Sequence, residues 1–331
     1  MKNLVCNTLL CTSKKNSMAS SVLTFGTYEG GIIAIRVTQD INNSVELETI
    51  ISTPSHIGCV RAIGSSGRYS VSGGTDELIN VFDIAKCRQL GNMGGSVHTS
   101  TITSLAVSDE HGLILSGCED GQIAITRMKD FKTLRSFKGH KSSVLGLSIH
   151  PSGKVAVSAS TDNTLRMWDL TRGTCAAVRS ICPIRRPNTI RGRVSTGNMD
   201  VRYTPLGSRY AILLPSGKID ICSSSSLDVV EYESPQFPIT SICPIDEDFL
   251  LLGDSKGTLS VLDLETTSIC ATLSGLHSRK IRFIARLEAN RCAASVCADG
   301  KIAFLIFDNN TLSEIKSLDT GVRITCFTSN C

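Results

Sequence analysis

Among the 331 residues no apolar stretch reaches the roughly 18–20 residues a membrane-spanning helix needs, so no membrane segment is expected. Charge is scarce: Asp, Glu, Lys and Arg make up 19%, against 41% hydrophobic residues, and a disordered chain would show the reverse. The net charge is only +4, which permits contact with nucleic acid or an acidic partner without demanding it. Aromatic residues amount to 5%, and tryptophan occurs once, at Trp168. None of the 14 cysteines forms a Cys-x-x-Cys pair. Closely spaced pairs such as Cys6/Cys11 and Cys292/Cys297 lack a second pair or histidines at zinc-ligand spacing. No metal site is expected, and the cysteines read as free thiols, many inside apolar runs, in a reducing compartment. MKNLVCNTLLCTSKKNS at the N-terminus has a short apolar patch, but Asn7 and Thr8 break it and no convincing cleavage site follows, so no signal peptide is expected. No Gly-rich phosphate loop is present and no cofactor is expected.

Helical periodicity is nearly absent too. Short alternating runs bounded by Gly, Asp, Ser and Asn take its place, such as LILS at 113–116 and QIAI at 122–125, and they read as short antiparallel strands. They recur. Tight turns of one kind fall at Glu29, Asp76, Asp120, Asp162, Ser216, Lys256 and Asp299, in steps of 47, 44, 42, 54, 40 and 43 residues. Seven units of about 40 residues, each with four short strands, predict an all-β, seven-bladed propeller of the WD40 type. A second marker keeps the same phase: His98, His140 and His277 stand 22 residues before their turns, and His56 stands 20 before Asp76. A third concerns closure. TITSL (101–105), PITSI (238–242) and RITCF (323–327) are versions of one strand, and the last has no blade of its own. It is expected to supply the innermost strand of the N-terminal blade, removing two free sheet edges. The 32 residues from Asp299 to Cys331 and the 12 from Met18 to Glu29 together make 44, one repeat, so residues 1–17 are expected to be an extension outside a single propeller domain at 18–331.

GHKSSVLGLSIHPSGKVAVSASTDNTLRMWDL (139–170) holds the fullest version of the unit. A buried Asp162 needs hydrogen-bond partners. His140 in the entering loop, Ser158 on the second strand and Trp168 on the third can complete a structural relay with it. A Ser-His-Asp nucleophile is the competing reading. It fails because the pairs His56/Asp76, His98/Asp120 and His277/Asp299 repeat the arrangement, whereas a catalytic histidine is expected once. Units 5 and 6 have Ser216 and Lys256 at the turn and no phased histidine, so hydrophobic packing is expected to hold them.

The same stretch, above all LSIHPSGK (147–154) and TDNTLR (161–166), resembles the p21-activated kinase-interacting protein 1-like family of WD40 proteins, which includes a yeast ribosome-assembly factor. SGGTDELINVFD (72–83), TITSLAVSDEHGLILSGCEDGQIAI (101–125) and VRITCF (322–327) support the resemblance, which spans about 20–329. It implies a non-catalytic scaffold in large ribosomal subunit assembly, with pre-60S particles and rRNA as partners, nucleolar and nuclear location, and negative regulation of p21-activated kinase. The chain is expected to be a monomer within a larger complex. One departure stands out: family members carry a Lys-rich C-terminal tail, whereas this sequence stops after the closing strand. That puts autonomous nucleolar targeting in doubt.

The 54-residue step holds CPIRRPNTIRGRVSTGN (182–198), where Arg185, Arg186, Arg191 and Arg193 cluster. They are candidate contacts for RNA phosphates or an acidic partner, against the plainer reading of a solvated loop. The alternative to the assembly role is a cytoplasmic signalling or ubiquitin-ligase adaptor. The arginine that a ligase adaptor needs two residues after Asp169 is displaced by one, to Arg172. No convergent acid, base or metal set marks an enzyme.

Overall fold

A computed structural model describes residues 19–39, 45–93, 97–181, 199–226, 228–288 and 291–330, all of them strand, turn or connecting loop. The strands form seven four-stranded antiparallel sheets, and the inner strand of each lies beside the inner strand of the next, closing a ring around a central channel. Six blades are continuous in sequence: 60–92, 102–138, 144–180, 200–232, 239–273 and 281–319. The other takes 19–54 for three strands and Ile324–Ser329 for its inner one. Numbered from the N-terminus, this discontinuous sheet is blade 1.

The sequence pattern of a strand follows its distance from the axis. In blade 4, Val144–Ile149, Val155–Ser160, Thr164–Asp169 and Thr174–Ser180 run from inside to outside. The second strand, VAVSAS, is buried at all but its first residue because blades cover both of its faces. The fourth, TCAAVRS, is almost wholly exposed. Cys292–Cys297 in blade 7 (CAASVC) is buried at every residue. These second strands therefore read as runs of small and apolar residues rather than as strict alternation. The ten described cysteines are all free, and six of them are buried.

The apolar core consists of seven clusters shared by adjacent blades. One joins Phe25 and Phe327 of blade 1 to Phe304 of blade 7, so the ring is held where its two ends meet. Ile324–Ser329 pairs with Ala19–Thr27 from Leu23↔Ser329 to Thr27↔Ile324, and Ile324, Cys326 and Phe327 are buried. The expected closure is thus present. The expected extension at 1–17 falls outside the described residues.

Polar clamps repeat between blades. The hydroxyls of Thr103, Thr240 and Thr325 donate to the carbonyls of Val144 (2.6 Å), Ile281 (2.5 Å) and Val60 (2.6 Å), each the first inner-strand residue of the following blade. Arg282 reaches the equivalent carbonyl of Ile324 at 3.3 Å. Blade 5, expected to be held mainly by hydrophobic packing, also has charged support. Arg179 of blade 4 donates to the buried Asp220 carboxylate at 2.7 Å. On the opposite side Glu247 of blade 6 accepts from Thr204, the Leu206 amide and Ser208.

Glycine three residues before the turn sets how closely two blades approach. A Cβ added at Gly73 would lie 2.4 Å from Cγ2 of Ile102, and one at Gly253 would lie 2.6 Å from Cγ2 of Ile281. Gly73→Ala is expected to destabilise the protein by about 1–3 kcal/mol through overpacking. A urea midpoint matching wild type would show that blades 2 and 3 separate without cost.

Candidate functional site

The predicted relay in blade 4 is assembled by one loop, one turn and two strands. Asn163, at φ 61°, lets the chain reverse after Asp162, a conformation asparagine tolerates. Asp162 Oδ1 accepts from the Thr164 amide (2.9 Å) and hydroxyl (2.6 Å), while Oδ2 accepts from the Lys141 amide (2.9 Å). This carboxylate thus ties the turn to the loop entering the blade. His140 Nδ1 lies 3.0 Å from Asp162 Oδ2 and donates to it. That fixes the tautomer, so Nε2 accepts from the Ser158 hydroxyl at 2.7 Å. Trp168 Nε1–H donates to the same Ser158 oxygen at 2.8 Å. The indole also stacks on Phe137 of blade 3, with ring centroids 5.1 Å apart, which couples the relay to the neighbouring blade. Burial lowers the pKa of His140, opposed by Asp162. Burial alone would raise that of Asp162, but the bonds from Thr164, Lys141 and His140 bring it to about 2. Ser158 is 0% exposed, and its oxygen is engaged by both neighbours. A nucleophile must reach its substrate, and this one touches only its own blade.

The other three histidines occupy the same position with one difference. His56 Nε2 lies 2.7 Å from Ser72 Oγ and its Nδ1 lies 2.9 Å from Asp76, as in blade 4. His98 and His277 keep the serine bond, to Ser116 at 2.7 Å and Ser295 at 2.8 Å. The expected pairing with Asp120 and Asp299 does not form. Among the described residues, Nδ1 of each ring is buried without a partner. The reason is a cysteine two residues before the turn. Cys118 donates its S–H to Asp120 at 2.6 Å, Cys297 does the same to Asp299, and the carboxylates are drawn away from the imidazoles. In blades 2 and 4 that place holds Gly74 and Ser160. Sequence reading missed Ser72, Ser116 and Ser295, although each stands four residues before its turn aspartate, as Ser158 does.

With weaker or absent acid support, burial takes His98 and His277 down to a pKa of about 4 from the ordinary 6.5. A lowered folded-state pKa means that the unfolded chain binds the proton first as pH falls. The contribution of these rings is therefore complete above pH 6.5 and declines towards pH 4. Urea midpoints are expected to fall steadily across that window. A flat profile would mean that the rings are hydrated in the folded protein.

Arg185, Arg186, Arg191 and Arg193 lie outside the described residues. At the centre of the ring the channel forms a cavity of about 440 Å³ lined by inner-strand residues of all seven blades. Among the described residues no three His, Cys, Asp or Glu side chains are grouped to hold a metal ion. No helix there is long and apolar enough to cross a membrane.

Residues 91–125 and 131–169 match the family model for the WD domain, G-beta repeat. The chain is 27% identical over 277 residues to p21-activated protein kinase-interacting protein 1-like of Gallus gallus, covering 82% of this chain and 70% of that protein. It is 26% identical over 310 residues to the protein of the same name from Danio rerio, covering 92% and 79%. Protein MAK11 of Saccharomyces cerevisiae is 27% identical over 350 residues, covering 92% of this chain and 81% of that protein. The solved structure of U3-55K superimposes with a TM-score of 0.68 at 15% identity, covering 81% of this chain and 84% of that one, a likeness of fold alone. The repeated blades, the family match and these relatives agree: the chain carries WD40 repeats and resembles the p21-activated protein kinase-interacting protein 1-like proteins over most of its length.

Proposed function

We propose that this protein is a non-catalytic scaffold in the assembly of the large ribosomal subunit, acting in the nucleolus and nucleus as a monomer within pre-60S particles. The observation that carries the reading is the alignment with Protein MAK11 across 92% of the chain, set beside the sequence resemblance to a family that includes a ribosome-assembly factor. The physical character of the fold agrees with it. The histidine relays are buried, and those of blades 2 and 4 are tied to their turns, which suits them to holding blades in place rather than to turnover. The four arginines at 185–193 are proposed to contact rRNA phosphates. Reversing all four to Glu is expected to weaken association with precursor particles.

The direct test is depletion of the protein followed by sedimentation of ribosomal particles. A deficit of free large subunits with small subunits unchanged supports the reading, and an unchanged profile removes it. A second reading, a regulator that binds p21-activated kinase, is favoured by the relatives' names. These include p21-activated protein kinase-interacting protein 1 of Homo sapiens and Shk1 kinase-binding protein 15 of Schizosaccharomyces pombe. Direct capture of a kinase regulatory region by the purified protein, without rRNA, would shift the balance to it.

A further inference from the structure

One mouth of the central channel is unevenly charged. The cavity is lined by Arg61, Arg202 and Arg282 against a single carboxylate among the described residues, Asp200. That carboxylate is engaged by Arg202 at 3.0 Å. Arg61 and Arg282 are left with no acidic partner among the described residues. They project from the second inner-strand positions of blades 2 and 7, at the end where the chain enters each blade. Three equivalent positions hold Thr103, Thr240 and Thr325, and each of those hydroxyls donates to a carbonyl of the next blade. The donors left over on that ring are therefore those of the arginines. Arg282 uses one N–H on the Ile324 carbonyl, and a guanidinium carries five.

Closure of the ring brings a third cation to the same rim. Arg323 immediately precedes the closing strand, which lies between the inner strands of blades 2 and 7. Its guanidinium rests over the Tyr28 ring, 5.1 Å from the centroid. Burial, and then the charges of Arg323 and Arg61, hold the pKa of Arg282 below the ordinary arginine value, which places both neighbours within reach of Arg282. Next to them is exposed apolar surface. Tyr28 is 58% exposed and Ile57 is 89% exposed, on neighbouring loops joined by bonds from the Ser55 and His56 amides to the Gly30 carbonyl.

Three like charges converging on a concave mouth, beside an exposed aromatic and an exposed aliphatic side chain, call for an anion carried on an apolar chain. We infer that the channel mouth formed by Arg61, Arg282 and Arg323 is a docking site for an extended acidic peptide of a partner protein. One of its carboxylates enters the channel between Arg61 and Arg282, and an apolar neighbour lies against Tyr28 and Ile57. A cavity of about 440 Å³ admits a single side chain, and the exposed aliphatic Ile57 beside its mouth suits an apolar neighbouring residue better than a sugar-phosphate backbone. The site needs no particular biological role for the protein and stands apart from the ribosomal reading.

The experiment is fluorescence anisotropy of a short fluorescein-labelled peptide of alternating Glu and Leu, titrated with the full-length protein at about 0.15 M salt, where exposed charges are screened beyond about 8 Å. Saturable binding is expected. The exposed pair Arg61→Glu/Arg323→Glu should weaken it at least about tenfold, or about 1.4 kcal/mol, with unchanged melting. Because Arg282 also touches the closing strand, Arg282→Gln serves as an independent variant and should weaken binding as well. Lys132→Glu/Lys138→Glu, on the outer edge of blade 3, should leave affinity within about twofold. The inference is overturned by absence of saturable binding, or by equal losses in the outer-edge variant. It is also overturned if an oligouridylate displaces the peptide and shows the same arginine dependence, which would make the mouth an RNA site.

Discussion

A chain ending at Gly321 is expected not to fold cooperatively. Removing the closing strand takes away Ile324, Cys326 and Phe327, all buried, and exposes Leu23 and Phe25 of the strand it covers. Burial of each large apolar side chain contributes about 1.5–3 kcal/mol. The lost ladder from Leu23↔Ser329 to Thr27↔Ile324 and the Thr325 clamp on Val60 add about 0.5–1.5 kcal/mol per hydrogen bond. Together these approach the whole stability of a typical domain, about 5–15 kcal/mol. The truncation also leaves Ala19–Thr27 as an unpaired edge of blade 1, which invites aggregation. Circular dichroism and limited proteolysis are the measurements. Phe327→Ala gives a graded version, expected to cost about 3–5 kcal/mol while leaving a folded ring. A truncated chain that melts where the full chain does would mean the ring is held without its closing strand.

Ser158→Ala is expected to cost more than any other single change in the relays, about 2–6 kcal/mol. It leaves both His140 Nε2 and Trp168 Nε1 buried without a partner, at about 1–3 kcal/mol each. His140→Ala should fall in the same range, because Asp162 then keeps its turn bonds but loses its imidazole. His98→Ala is expected to cost less than His140→Ala, since Nδ1 of His98 is already unpartnered. Urea titration of the three variants gives the order. Partner binding at permissive temperature should survive in His140→Ala. Loss of binding with an unchanged midpoint would assign these residues to an interface instead.

The blades could be read from the sequence because they repeat. One turn residue every 40 to 54 positions, a histidine in phase with it and three versions of one inner strand define the ring, and RITCF at 323–327 had no blade left to join but the first. What could not be read depends on residues that do not repeat. Cys118 and Cys297 divert Asp120 and Asp299 from their histidines, although the four His–Asp spacings look alike in sequence. The Arg179–Asp220 clamp joins residues 41 apart in different units, with no counterpart among the described residues to mark it. Arg61 and Arg323 lie near opposite ends of the chain and share a rim only because the last strand enters the first blade. In each case the geometry follows from ring closure and inter-blade contact, while periodicity reports only what happens within a blade.

The central claim is that this WD40 ring works as a scaffold on large-subunit precursors. The most direct measurement is affinity purification of the tagged protein from native lysate at moderate salt, with co-purified proteins and rRNA identified together. Large-subunit precursor rRNA and its assembly proteins are the predicted result. A kinase or a ubiquitin ligase recovered without rRNA would contradict the claim and leave the propeller as a signalling adaptor.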